Sequence, residues 1–367
     1  MEFLSLSTFL TTAATVWSKV WPILFAILLF GFIIFSHELG HFLFAKLFKV
    51  KVNEFAIGMG PAFFKKQRGE TLYALRAFPI GGYVAMEGED EDSDDERAFG
   101  NAKTWKKIII VAAGAVFNLI IGFLIVAVML TQEDLIGTQR IYGFQENAVS
   151  VNYGLEKDDL IRKINGRHVF SQYDVSFLMS RDKDGVMDFV VERDGKKVAL
   201  DGIKFDTKKS EDGKQTIIFD FIVVGVKPTV LSVAKYSVLQ SISIARMVWI
   251  SLFDLITGRY GFSDLSGPIG TVTFIAEAAK MTTKVDLTPI LTMMSLITIN
   301  IGIFNLLPIP ALDGGRLLFL FIELIRRKKM NQKYEKWVHA VGLILLLALM
   351  AAVSFSDILK LVRGELV

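Results

Sequence analysis

Four long apolar stretches punctuate the chain. They run from about Val20 to Phe48, Trp105 to Thr131, Leu287 to Leu312 and Trp337 to Leu361. Each reaches the roughly 20 residues a helix needs to cross a hydrocarbon layer about 30 Å thick. The pattern predicts a polytopic α-helical membrane protein with about four transmembrane helices. It divides the chain into a first helix (1–48), a β element with an acidic loop (49–103), a second helix (104–131), an inserted β-rich domain (138–227), an interfacial helix with a Gly-rich segment (228–286), a third helix (287–325) and a fourth (337–362).

Between the spans the period changes. Asn53–Ala85 carries Gly58, Gly60 and Pro61, a Gln67-Arg68-Gly69 turn and Pro79-Ile80-Gly81-Gly82, and reads as strands joined by tight turns. It is too apolar for a solvated loop, so a re-entrant β element beside the spans fits, with protein or a wet cavity around its irregular backbone. The acidic run Glu87–Glu96 reads as a solvated tether. In the inserted domain, short alternating segments are separated by Asn165-Gly166, Lys183–Gly185, Asp194-Gly195 and Asp212-Gly213. Val233–Thr257 is helical in pattern but interrupted by Arg246 and Asp254. An amphipathic helix at the outer interface is therefore expected, with a fifth span as the alternative.

Composition agrees with a membrane protein: 52% of the 367 residues are hydrophobic and the mean hydropathy is +0.45. A net charge of +3 is too small to argue for nucleic acid. With no cysteine there are no disulfides or thiolate ligands, so a zinc ion would have to use His, Asp or Glu. Basic residues cluster at 46–107 and again at Arg326–Lys336. The positive-inside rule puts both segments in the cytoplasm, which leaves both termini and the β-rich domain outside.

The candidate chemistry lies in the first span. His37-Glu38-Leu39-Gly40-His41 is H-E-x-x-H, which on a helix sets two imidazoles on one face with a Glu between them. Ionisable side chains in a span point to function by default. Catalytic zinc commonly takes three protein ligands and keeps one position for water. Asp313, after Pro308 and Pro310, falls at the same inner depth as the histidines and completes such a set. Its alternative role is to cap the next helix. Glu38 would serve as general base toward a zinc-activated water. His168 and His339 are left out as surface or packing residues. Gly114, Asn118 and Gly122 form a stripe spaced by four, read either as close helix packing or as Asn118 facing the site.

These motifs resemble the site-2 protease family of intramembrane zinc metalloproteases, and most of all its bacterial regulator-of-sigma-E protease-like branch. The matching residues are Phe35–Phe42, Ile57–Pro61, Pro79–Val84, Ala112–Asn118 and Asn305–Gly315. Gly154–Gly166 is similar to the core of a PDZ domain, which takes peptide ends by strand addition. No clear carboxylate loop is visible there, Tyr142-Gly143-Phe144 being the nearest candidate. The resemblance implies a multi-pass protein of the bacterial cytoplasmic membrane that cuts the transmembrane segments of single-span proteins, such as anti-sigma factors or remnant signal peptides. It implies zinc on His37, His41 and Asp313, a substrate backbone held by Asn305, and Asn118 close to the centre. Gly58 and Gly60 are counted with these as substrate-binding residues. Ala115 departs from the family, which often has proline there, and a single PDZ-like domain stands where some relatives carry two. The competing readings are an ion or zinc transporter, which would normally show repeated halves, and a catalytically silent PDZ scaffold indifferent to Glu38.

Overall fold

The computed structural model describes residues 2–89, 91–209, 215–259, 261, 265–282 and 286–363. The expected Asp212-Gly213 turn lies outside them. The chain divides into two compact units, Met1–Gly122 with Gly258–Val367, and Phe123–Thr257.

The first unit begins with α1, Glu2–Leu47, which starts well before the Val20 expected from apolarity alone. A turn leads directly into β1 (Val52–Arg68) and β2 (Thr71–Met86). The two strands bend so sharply that they form four rows. Glu54–Ile57 pairs with Leu72–Leu75 on one side and with Gly82–Ala85 on the other, while Phe64–Gln67 pairs with the far side of Leu72–Leu75. The outer rows are therefore Gly82–Ala85 and Phe64–Gln67. Gly58 and Gly60, both at φ +83°, sit at the bend, where Phe78 fills the space a side chain would need. The sheet packs on α1 through Phe35, Phe42, Phe55 and Tyr73, whose rings meet at centroid distances of 5.0–6.2 Å.

The helix α2, Thr104–Gln132, crosses α1 closely. A β-carbon on Gly40 would stand 2.5 Å from the Ala113 carbonyl oxygen. Farther along, Gly122 meets Ile299 of α6 (Thr288–Leu306). The small-residue stripe thus serves close packing, as one of its two readings had it. Helix α5, Pro268–Met281, was hidden in the Gly-rich segment. Its Pro268 opens the helix rather than breaking it, as proline does at the first helical position. Ile275, Ala278 and Ala279 of α5 pack on Ala26, Leu29 and Ile33 of α1. The helix α6 ends at Leu306, an irregular segment follows through the prolines, and α7 (Asp313–Arg326) then begins. The last helix is α8, Gln332–Arg363. Its buried Asp357 accepts from the backbone N–H groups of Gly267 (2.9 Å) and Gly270 (2.8 Å), capping α5.

The second unit holds a sheet of order β10-β3-β4-β6-β7. Its strands are β3 (Ile136–Phe144), β4 (Leu160–Ile164), β6 (Val186–Arg193), β7 (Lys196–Lys204) and β10 (Phe221–Val226), with the short β5 (Arg167–His168) beside β4. The small pair β8 (Thr207–Lys209) and β9 (Gln215–Ile217) stands apart. Asn165-Gly166 and Asp194-Gly195 have positive φ at both residues, the hairpin geometry that twisted strands need. Tyr142-Gly143-Phe144 is no loop: it lies in β3, where Gly143 and Phe144 pair with Ile222 and Phe221 of β10. A core around Phe189, Ile161 and Met179 fills the space beneath α3 (Gln172–Ser180).

Helix α4, Val230–Ile256, lies along α3 by polar contacts. Arg181 donates from Nε to Asp254 Oδ2 at 2.8 Å, both side chains being buried. Asp174 accepts from Ser243 Oγ (2.6 Å) and Arg246 Nη1 (3.3 Å). By length and apolarity five helices are able to cross a membrane among the described residues: the four expected and α4.

Candidate metal centre

His37 and His41 occupy successive turns of α1, their rings 4.7 Å apart and nearly perpendicular. Their Nε2 atoms are 3.1 Å apart. Asp313, the first residue of α7, brings Oδ2 to 3.0 Å from His37 Nε2 and 3.3 Å from His41 Nε2. Asp313 is the first residue inside its helix, with Leu312 at the cap position, so it is not the cap. Three residues from the two ends of the chain thus present one atom each to a common point, the arrangement that can hold a metal ion.

The donor set fits zinc. A tetrahedral ion with bonds of about 2.0–2.1 Å has ligand–ligand edges of about 3.3 Å, close to the separations found here. His41 Nδ1 donates to the Ile110 carbonyl oxygen at 2.9 Å. That bond turns the Nε2 lone pair of the neutral ring toward the common point, as an outer hydrogen bond does for metal-bound histidines. Asp313 Oδ2 is buried without a hydrogen-bond partner, although it faces both rings. An acceptor oxygen left so is costly unless a cation takes it up.

The three residues border a cavity of about 180 Å³ shared with Glu38. Its opposite wall is Gly82-Tyr83-Val84, in an outer row of the sheet. A β-carbon on Gly82 would come within 3.0 Å of Glu38 Cγ and 3.1 Å of the Ala56 oxygen, so a larger residue would crowd the glutamate. Arg316, one turn beyond Asp313, forms an ion pair with Glu89 beside the cavity. In the sequence, Gly82 belongs to the Pro79–Val84 motif but is given no role there, Glu89 is counted in the acidic tether, and Arg316 is not singled out. Gly82 stands within a matching motif and Arg316 next to one, Leu312-Asp313-Gly314-Gly315, whereas nothing local marks Glu89.

The other candidates lie elsewhere. Asn118 is fully buried behind α1, where Ser36 Oγ donates to its Oδ1 at 2.7 Å. It therefore touches the neighbour of His37 and does not line the cavity. Asn305 is half-buried in the last turn of α6 and is also outside the lining. Gly58 and Gly60 belong to the sheet bend. His168 is exposed and stacks on Phe170.

The model of peptidase family M50 matches residues 25–349. A relative from Clostridium acetobutylicum, named among the zinc metalloproteases, is 36% identical over 338 residues, covering 92% of this chain and 97% of its own. The regulator of sigma-W protease RasP of Bacillus subtilis is 28% identical over 417 residues, covering 91% of this chain and 97% of its own. The zinc metalloprotease RasP of Bacillus licheniformis is 28% identical over 418 residues, covering 91% of this chain and 98% of its own.

Proposed function

The chain belongs to peptidase family M50, and from that membership we propose that it cuts membrane-embedded segments at a centre formed by His37, His41 and Asp313. It is a zinc-dependent protease of the site-2 type. The observation that carries the residue assignment is the approach of Asp313 Oδ2 to both imidazoles, at 3.0 and 3.3 Å, beside a cavity that also holds Glu38.

A zinc ion held by His37, His41 and Asp313 would supply Lewis acidity here, for the scissile carbonyl and for the acidity of water. The protein does the rest. Glu38 takes the proton of the attacking water on a carboxylate oxygen and delivers it to the departing amine nitrogen. A peptide bond in a transmembrane helix is shielded by its own hydrogen bonds, so the substrate must unwind first. Among the described residues the outer row Gly82–Ala85 pairs on one side only, and an unwound segment adds to it as a further strand. Asn305 holds that backbone from the α6 side. Asn118 contributes at one remove, by bracing Ser36 next to His37. Gly58 and Gly60 contribute by permitting the bend that delivers the outer row.

The same reading gives the topology: four crossings by α1, α2, α6 and α8, with both termini and the PDZ-like second unit outside. Parity supports it. The histidines and Asp313 meet, so the segments after α1 and before α7 share one side of the bilayer, and an even number of crossings must separate them. The helices α2 and α6 supply two. A crossing by α4 would demand a fourth from α5, whose 14 residues span about 21 Å against a hydrocarbon core of about 30 Å. The buried polar side of α4, engaged by Asp174 and Arg181, agrees with an interfacial position.

Substrates of this site are single-span membrane proteins, with anti-sigma factors or remnant signal peptides as the class. The test is zinc analysis of the purified protein together with cleavage of a tethered single-span test helix, with and without a chelator. One zinc per chain and chelator-sensitive cleavage are expected. Cleavage that persists in metal-free protein would overturn the reading.

A further inference from the structure

We propose that His339 is a positioning residue for the metal centre: from α8 it fixes the bend that delivers Asp313 to the two histidines. The inference rests on Asp313 being a metal ligand.

The segment from Leu307 to Leu312 leaves α6 and must turn back into α7 within a few residues. It is gripped from two sides. On one side the first turn of α7 closes on it. A β-carbon on Gly314 would stand 2.0 Å from the Leu307 oxygen, and one on Gly315 would stand 2.5 Å from the Ile309 oxygen. On the other side stands α8. The backbone N–H of Ala311 donates to His339 Nδ1 at 3.0 Å. One turn later, a β-carbon on Gly342 would lie 2.4 Å from Pro310 Cβ and 2.8 Å from the Pro310 oxygen. The His339 ring also rests against Phe319 of α7, with centroids 5.8 Å apart.

The bond to Ala311 falls where the backbone most needs holding. Ala311 has φ +79°, a left-handed conformation that an alanine rarely adopts. Its N–H has one described acceptor, the imidazole. Much of the surrounding helix is turned outward, with Trp337, Val341 and Ile344 exposed. The inward row His339–Gly342 is therefore the part of α8 that reaches the bend. An imidazole presenting its Nδ1 lone pair meets the geometry, and the side-chain oxygen of asparagine can occupy the same place. An aliphatic side chain cannot accept.

Zinc affinity of the purified full-length chain, measured by competition with a chromogenic chelator, tests the assignment. The proteins compared are wild type, H339A, H339N, G342A and D313A. Groups that orient a metal ligand from outside commonly account for about ten- to a hundredfold in affinity. H339A is expected to weaken zinc binding about tenfold or more, and H339N to restore it to within about threefold of wild type. G342A pushes on Pro310 while leaving the imidazole in place, and should weaken zinc in the same direction. Wild-type affinity in H339A, or no rescue by H339N, overturns the proposal. If H339A does not fold, wild-type affinity in G342A does so. D313A separates the two levels: wild-type affinity there removes the metal centre itself, whereas its loss beside a tight H339A removes only the role of His339.

Discussion

Gly114 of α2 lies so close to His41 of α1 that a β-carbon on it would stand 2.3 Å from the imidazole Nε2. The ring keeps its place because Gly114 offers no side chain, while the Ile110 carbonyl one turn earlier holds Nδ1. Gly114→Ala should therefore displace His41, at a cost of about 1–3 kcal/mol typical of overpacking. Zinc content measured beside thermal stability checks this, and an alanine variant with full zinc would show the ring free to move aside.

Glu38 should be separable from metal binding. Glu38→Gln keeps the shape and both histidines but gives up the base. Cleavage of a test helix is expected to fall by about 10²–10⁴-fold, the usual contribution of a positioned base, with zinc retained. Gly82→Ala, which crowds Glu38 across the cavity, should lower turnover less steeply and also spare zinc. Undiminished cleavage by the glutamine variant would remove Glu38 from the mechanism.

The pair Arg181–Asp254 joins α3 to α4 out of contact with water. Removing one partner strands a buried charge and costs about 3–5 kcal/mol, whereas replacing both by apolar residues of similar size is often close to neutral. Asp254→Ala should accordingly lower the thermal midpoint strongly, and Arg181→Met with Asp254→Leu should recover most of it. If the double variant is as unstable as the single one, the pair specifies more than charge balance.

Acid should weaken the anchoring of the β element. Hydrogen bonds from Lys46 and Arg97 hold the Glu70 carboxyl below its ordinary range. The backbone N–H of Arg97 and the Lys51 ammonium do the same for Asp95. A carboxyl depressed in the folded state adds stability above its unfolded pKa of about 4, and that stability is lost as pH falls through the folded value. Glu70→Gln should thus melt below wild type at pH 7, and the two midpoints should converge as pH drops below about 4. The gap should also narrow in high salt, because these side chains are partly exposed. A gap that persists at low pH would assign it to something other than charge.

The parts of the fold legible in the sequence were those with a local signature. H-E-x-x-H fixed two residues on one helical face. The proline-rich approach to Asp313 announced a break, and α6 does end there. Asn165-Gly166 and Asp194-Gly195 marked their hairpins. What escaped was set by contacts distant in the chain. Helix α5 was masked because Gly267-Pro268 reads as a break until Asp357 of α8 is seen capping the helix it opens. The doubling back of β1 turns on Gly58 and Gly60 and that of β2 on Gly81, whose positive φ no pattern of apolar residues reveals. His339 looked like a packing residue because its partner is the backbone N–H of Ala311.

In the proposed centre, the imidazoles come from α1 and the carboxylate from the start of α7, about 270 residues later in the chain. A polypeptide halted anywhere before Asp313 has the water-activating glutamate and half a cage for the ion, and nothing to complete it. Hydrolytic competence therefore arrives late in biogenesis, when most of the protein has already been laid into the lipid.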